Sequence, residues 1–149
     1  VSFKGTGKWA ETNYLSNITP QKSDLNRGSW MILENRVRGL VGKGRVVFVM
    51  TGHLFERKTL SMPGVDESHK VPSGYWKIIS IQPDKTDSIK AAGFIFDQAT
   101  SKMDKVIDRL CTIDEIETRA GLDFLRELPD EIEEKIESSK YQDWVKENF

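Results

Sequence analysis

Trp30, Leu33, Val37, Leu40 and Val41 recur three and four residues apart, and the chain then switches to the apolar, β-branched run Arg45-Val46-Val47-Phe48-Val49-Met50-Thr51. The first pattern predicts an amphipathic helix from Asn26 to about Val41, stopped by Gly42 and Gly44. The second predicts a buried strand closed by Gly52. Two periods in one short stretch require a fold that mixes helices with a sheet.

Further strands are predicted at Tyr75 to Ile81 and Ile89 to Phe96, separated by the turn-forming Gln82-Pro83-Asp84-Lys85. Together they suggest an antiparallel sheet. Thr59 to Ser73, with Pro63, Gly64, Pro72 and several charges, reads as a long surface loop. Thr112-Ile113-Asp114-Glu115 has the Thr and Glu positions of a capping box, and the helix it opens should end at Gly121. Leu128 to Phe149, with Ile132, Ile136, Trp144 and Val145, reads as one or two amphipathic helices. The expected class is α+β, an antiparallel sheet with flanking helices in a single domain over residues 1–149.

No apolar run approaches the roughly 18 residues a membrane span needs, so no membrane partner is expected. Cys111, the one cysteine, excludes an internal disulfide and a cysteine metal cluster, and reads as a small core residue. A net charge of −1 is not that of a typical nucleic-acid binder, but the charge is unevenly spread. Val1 to Arg45 carries eight Lys or Arg against three Asp or Glu, whereas Leu128 to Phe149 carries three against seven. The basic third is the part suited to phosphates. Val1-Ser2-Phe3-Lys4 is neither an initiator methionine nor a signal peptide, so translation is expected to begin upstream of Val1.

Chemistry concentrates on the first helix. Glu34 and Arg38 lie one turn apart just off the edge of its apolar stripe. Alone they read as a surface ion pair. Asn26, just ahead of the helix, offers an amide oxygen, which is a helix cap or a neutral hard ligand for magnesium. Magnesium keeps most of its waters, so one amide oxygen and one carboxylate holding metal-bound water suffice, and a helix N-terminus favours a phosphate oxygen nearby.

Asn13-Tyr14-Leu15-Ser16-Asn17-Ile18-Thr19-Pro20-Gln21, followed by Asn26, Trp30, Leu33-Glu34 and Arg38, resembles the DNA/RNA non-specific endonuclease family and its secreted members above all. Later segments agree in the family's order: Thr51-Gly52, Leu54-Phe55-Glu56-Arg57, His69 with Pro72-Ser73, Tyr75-Trp76-Lys77, Phe96-Asp97-Gln98 and Asp114-Glu115-Ile116-Glu117. The resemblance implies a ββα-metal, or His-Me finger, nuclease acting on DNA and RNA with little sequence preference. By that similarity Asn26 would be the direct ligand of Mg²⁺, with Mn²⁺ a substitute, and Glu34 would hold the ion through its waters. Asn17 would help set the site, Arg38 would bind phosphate or support Glu34, and Asn13 would line the cleft. Products with 5′-phosphate and 3′-hydroxyl ends are the expectation. Secretion or a periplasmic location is implied, with an organelle open, and a homodimer is compatible.

One part of the family pattern does not match. The general base belongs to an Asp-Arg-Gly-His motif shortly before the counterpart of Trp9, and nothing from Val1 to Lys8 corresponds to it. The chain therefore corresponds to about the C-terminal two thirds of such a nuclease, the base being expected on an upstream fragment of the same precursor. His53 and His69 are expected to be structural or cleft-lining. The alternative is an inactive nuclease-fold module that binds nucleic acid or a protein partner.

Overall fold

A computed structural model describes residues 18–42, 45–59, 62, 64, 70–81 and 89–149. A short helical turn, α1 (Ser23–Leu25), runs through a widened turn at Asn26–Trp30 into α2 (Met31–Gly42). Strands β1 (Val47–Leu54), β2 (Gly74–Ile81) and β3 (Lys90–Asp97) follow, and after a 3₁₀ turn at Val106–Arg109 comes the short β4 (Leu110–Cys111). Helices α3 (Ile113–Ala120), α4 (Asp130–Glu137) and α5 (Gln142–Asn148) complete the chain. The four strands lie in sequence order, each antiparallel to its neighbour, as expected. No helix among the described residues is long and apolar enough to cross a membrane.

Alternation along the strands divides the core into two layers. Tyr75 and Ile79 of β2 and Ala92, Phe94 and Phe96 of β3 pack with Leu25, Trp30 and Leu33 from the first helices and with Trp144 and Val145 of α5. On the other face Trp76, Ile78, Ala91 and Ile95 meet Ile113 and Ile116 of α3 and Ile136 of α4. Helices α3 and α4 thus use the sheet face opposite the helix that carries the candidate chemistry, and α5 shares that helix's face.

Several sequence expectations shift here. The first helix begins at Ser23, three residues before Asn26, because Asn26 already has helical φ −59° and ψ −44° and its N–H donates to Lys22 O at 2.9 Å. Asn26 is therefore not the N-cap of this helix, a place that Lys22 takes. The break comes at Gly28, with φ −107° and ψ −122°. Trp30, Leu33 and Leu40 are buried, but Val41 is 54% exposed because the stripe runs past the edge of the sheet. Strand β1 starts two residues later than expected and is only half-buried, with Phe48 58% exposed. Among the described residues it is an edge strand, so its continuous apolar run does not mean burial on both faces.

Other readings hold. Cys111 is buried in the second layer, and burial pushes its thiol up to about 12. Thr112 Oγ1 accepts from Glu115 N–H at 3.1 Å, and Gly121 closes α3 at φ +65°. The C-terminal region forms two helices. The turn at 82–85 and most of the loop at 59–73, including His69, lie outside the described residues.

Candidate functional site

Lys77 sits in the middle of β2, flanked across the sheet by Thr51 on β1 and Phe94 on β3. Its side chain rises from the face shared with Tyr75 and Ile79, where Trp30 and Leu33 cover the sheet. A lysine can occupy such a place by burying its stem and finding a partner for the ammonium. Lys77 is 5% exposed; its Nζ lies 4.4 Å from the Trp30 ring centroid and 3.8 Å from Glu34 Oε1. Desolvation lowers the Lys77 pKa, Glu34 opposes that shift, and Arg38 reinforces it.

Glu34 is held from its other side as well. Arg38 Nη2 lies 3.6 Å from Glu34 Oε2, and Arg38 Nη1 donates to Asn35 Oδ1 at 2.8 Å. The carboxylate thus stands between a buried and an exposed cation, in a half-exposed position. These three charged groups, with Val37, Val41, Val47 and Val49, line a cleft of about 320 Å³ between α2 and the sheet. A carboxylate with two fixed cations can accept hydrogen bonds from water, while the more exposed guanidinium remains able to meet an anion.

Asn26 lies on the far side of the Gly28 kink and is not part of that cleft's lining. It is exposed, and its Nδ2 donates to Gln21 Oε1 at 2.8 Å. This commits the amide nitrogen. Among the described residues Oδ1 accepts no hydrogen bond, which leaves a neutral hard oxygen suited to magnesium. Asn13 and Asn17 lie outside the described residues.

The segment leading to Asn26 is anchored by Gln98, which is 5% exposed. Its Nε2 donates to Pro20 O at 2.9 Å and Pro72 O at 3.2 Å, and its Oε1 accepts from Lys22 N–H at 2.8 Å. The Tyr75 hydroxyl also donates to Pro20 O. One buried amide therefore ties the approach to the helix to the end of β3 and the start of β2. Beside it, Pro20, Gln21 and Gln98 share a second pocket, of about 440 Å³, with Lys22, Arg57 and Lys58.

Residue-by-residue reading did not single out Lys77 or Gln98 as site residues. Lys77 had a visible signal, since it is the lone charge in the apolar run Tyr75-Trp76-Lys77-Ile78-Ile79. Gln98 had none, because its partners are distant in sequence. His53 packs edge-on against Tyr75, with ring centroids 5.8 Å apart, and burial lowers its pKa.

A family model described as DNA/RNA non-specific endonuclease matches residues 2–131. The protein named Nuclease from Serratia marcescens is 42% identical over 140 residues, covering 93% of this chain and 52% of its own. Mitochondrial nuclease of Saccharomyces cerevisiae is 30% identical over 135 residues, covering 80% and 41%. Human Endonuclease G, mitochondrial, is 28% identical over 124 residues, covering 77% and 41%. The chain thus spans about half the length, or less, of these curated relatives. Among solved structures, a chain from the crystal structure of the EndoG/EndoGI complex superposes with a TM-score of 0.62 at 25% identity, over 80% of this chain and 52% of that one. The likeness bears out the expected ββα-metal class of α+β fold.

Proposed function

Because the chain belongs to the DNA/RNA non-specific endonuclease family, we propose that it carries the metal-binding half of an endonuclease that hydrolyses phosphodiester bonds in DNA and RNA. The observation that carries this reading is Glu34, fixed between Arg38 and the buried Lys77 on the wall of a cleft. A plain surface ion pair needs only Arg38. A second cation, buried in the sheet to hold the same carboxylate, is a costly arrangement that gives Glu34 a set position.

In this reading Asn26 Oδ1 would hold Mg²⁺, with Mn²⁺ as a substitute, and Glu34 would hold the ion through water. When bound, the ion supplies positive charge against the scissile phosphate and the leaving oxygen. Arg38 binds a phosphate oxygen from the cleft mouth, and Lys77 keeps Glu34 in place without touching substrate. Asn17 helps to set the site and Asn13 lines the cleft. The oxygen of a water bonds to phosphorus as the bond to the 3′-oxygen breaks, leaving 5′-phosphate and 3′-hydroxyl ends. The general-base histidine comes from an upstream segment carrying Asp-Arg-Gly-His. Secretion or the periplasm suits the Serratia likeness, and an organelle the mitochondrial ones.

The test is plasmid cleavage with Mg²⁺ beside metal-binding calorimetry. The isolated chain should cut at least about a hundredfold more slowly than a form that includes the upstream segment, the low end of general-base effects. Asn26→Ala should abolish both metal binding at this site and cleavage by the longer form, with the fold retained. Full activity in Asn26→Ala would remove it from the metal role. A longer form that binds DNA but never cuts it would favour the alternative, a nuclease-fold binding module.

A further inference from the structure

On the side of the sheet away from α2, three carboxylates converge. Asp114 and Glu117 stand one turn apart on α3, and Glu137 ends α4; an oxygen from each lies within 4.8 Å of the others. Glu137 is the unusual member, because it is only 7% exposed and its Oε1 is buried with no hydrogen-bond partner. Beside it lie the buried Ile113, Ile116 and Ile136. A buried carboxylate with an oxygen that no donor reaches, clustered with two further carboxylates, is strongly unfavourable as an anion unless a proton or a metal cation joins it.

Among the described residues, none of the three pairs with a lysine or arginine; the nearest arginine on α3, Arg119, is engaged by Glu56 at 2.7 Å and faces Glu115 at 3.6 Å. Glu133 adds negative charge beside Glu117 and Glu137, and Asp123 and Asp130 in turn lie near Glu133. The Glu117 carboxylate is positioned in advance, since its Oε1 accepts from Phe124 N–H at 2.6 Å. Burial, the charges of Glu117, Glu133 and Asp114, and a hydrogen bond shared with Glu117 push the Glu137 carboxyl up to about 7, so a proton and a cation compete for this place.

We propose that Asp114, Glu117 and Glu137 form a second cation site, structural in role, which takes a hard divalent ion of the calcium type and ties α3 to α4. Calcium suits three carboxylates better than magnesium, which keeps several of its waters and takes only one or two carboxylates. Asp114 is exposed and leaves room for waters to complete the coordination. The site shares no residue with Asn26 and Glu34, and it does not depend on the nuclease reading.

Chelator-treated protein should melt about 5 °C or more higher at calcium concentrations about a hundredfold above Kd. Tb³⁺ provides a local probe, because Phe124 packs on Trp76 with centroids 5.0 Å apart, which puts an indole near Glu117 as an energy donor. Tryptophan-sensitised Tb³⁺ emission should appear and be displaced by Ca²⁺. Both signals should persist in Asn26→Ala and vanish in Glu137→Gln and in Asp114→Asn, the latter an exposed position whose change leaves the core untouched. No calcium-dependent shift in the parent chain would overturn the proposal. So would a shift that survives in Glu137→Gln and Asp114→Asn, or one lost in Asn26→Ala alone, which would place the ion at the other site.

Discussion

Removing Glu34 and removing Lys77 should have unequal consequences, although they are partners in one ion pair. Their charges are 3.8 Å apart, an attraction of roughly 4 kcal/mol at an effective dielectric constant of 20 and about 1 kcal/mol in water. The Glu34 side chain is 37% exposed and the Lys77 side chain 6%, so water can replace Lys77 for Glu34 but cannot replace Glu34 for Lys77. Glu34→Gln therefore strands a buried ammonium, with the Trp30 face as its main remaining support, and should cost about 1–3 kcal/mol. Lys77→Met keeps the packed stem, removes the desolvated charge, and should change stability by less than about 1 kcal/mol.

Urea unfolding followed by tryptophan fluorescence measures both. The pH dependence adds an independent sign. Burial lowers the folded-state pKa of Lys77 below its ordinary value of 10.5, so between the two values the unfolded chain binds more protons. Stability from this group should rise as pH climbs through that window. The rise should be larger in Glu34→Gln, where the attraction that opposes the shift is gone, and absent in Lys77→Met. Equal destabilisation by the two substitutions, with identical alkaline slopes, would refute the reasoning.

Two further substitutions test how the elements are set. In Gly28→Ala the new Cβ would lie 2.9 Å from Lys102 Cα, a backbone atom, so the kink must open; a loss of about 1–3 kcal/mol is expected in urea unfolding. Because the kink lies between Asn26 and Glu34, calorimetry should also show weaker magnesium binding, and unchanged binding would disconnect the kink from the site. Thr112→Ala removes the acceptor for Glu115 N–H and should lower stability by about 1 kcal/mol, a cap effect that thermal melting detects; no change would mean the cap bond adds nothing.

Local chemistry made much of this molecule legible in advance. Thr112 and Gly121 bound α3 because a cap and a left-handed terminus depend on neighbouring residues, and Glu34 and Arg38 meet because one helical turn brings them together. The resemblance on which Asn26, Glu34 and Arg38 are proposed as site residues likewise rests on the linear chain. What escaped depends on partners far along it. The exposure of Phe48 follows from the position of β1 in the sheet, and the Gly28 break from the approach of Lys102. Lys77 joins Glu34 across 43 positions, Gln98 reaches back to Pro20, and Glu137 meets Asp114 and Glu117 only because two helices cover one sheet face. Periodicity records which side of an element is apolar; only the packed sheet decides which polar groups are buried with it, and so which must find a counter-charge.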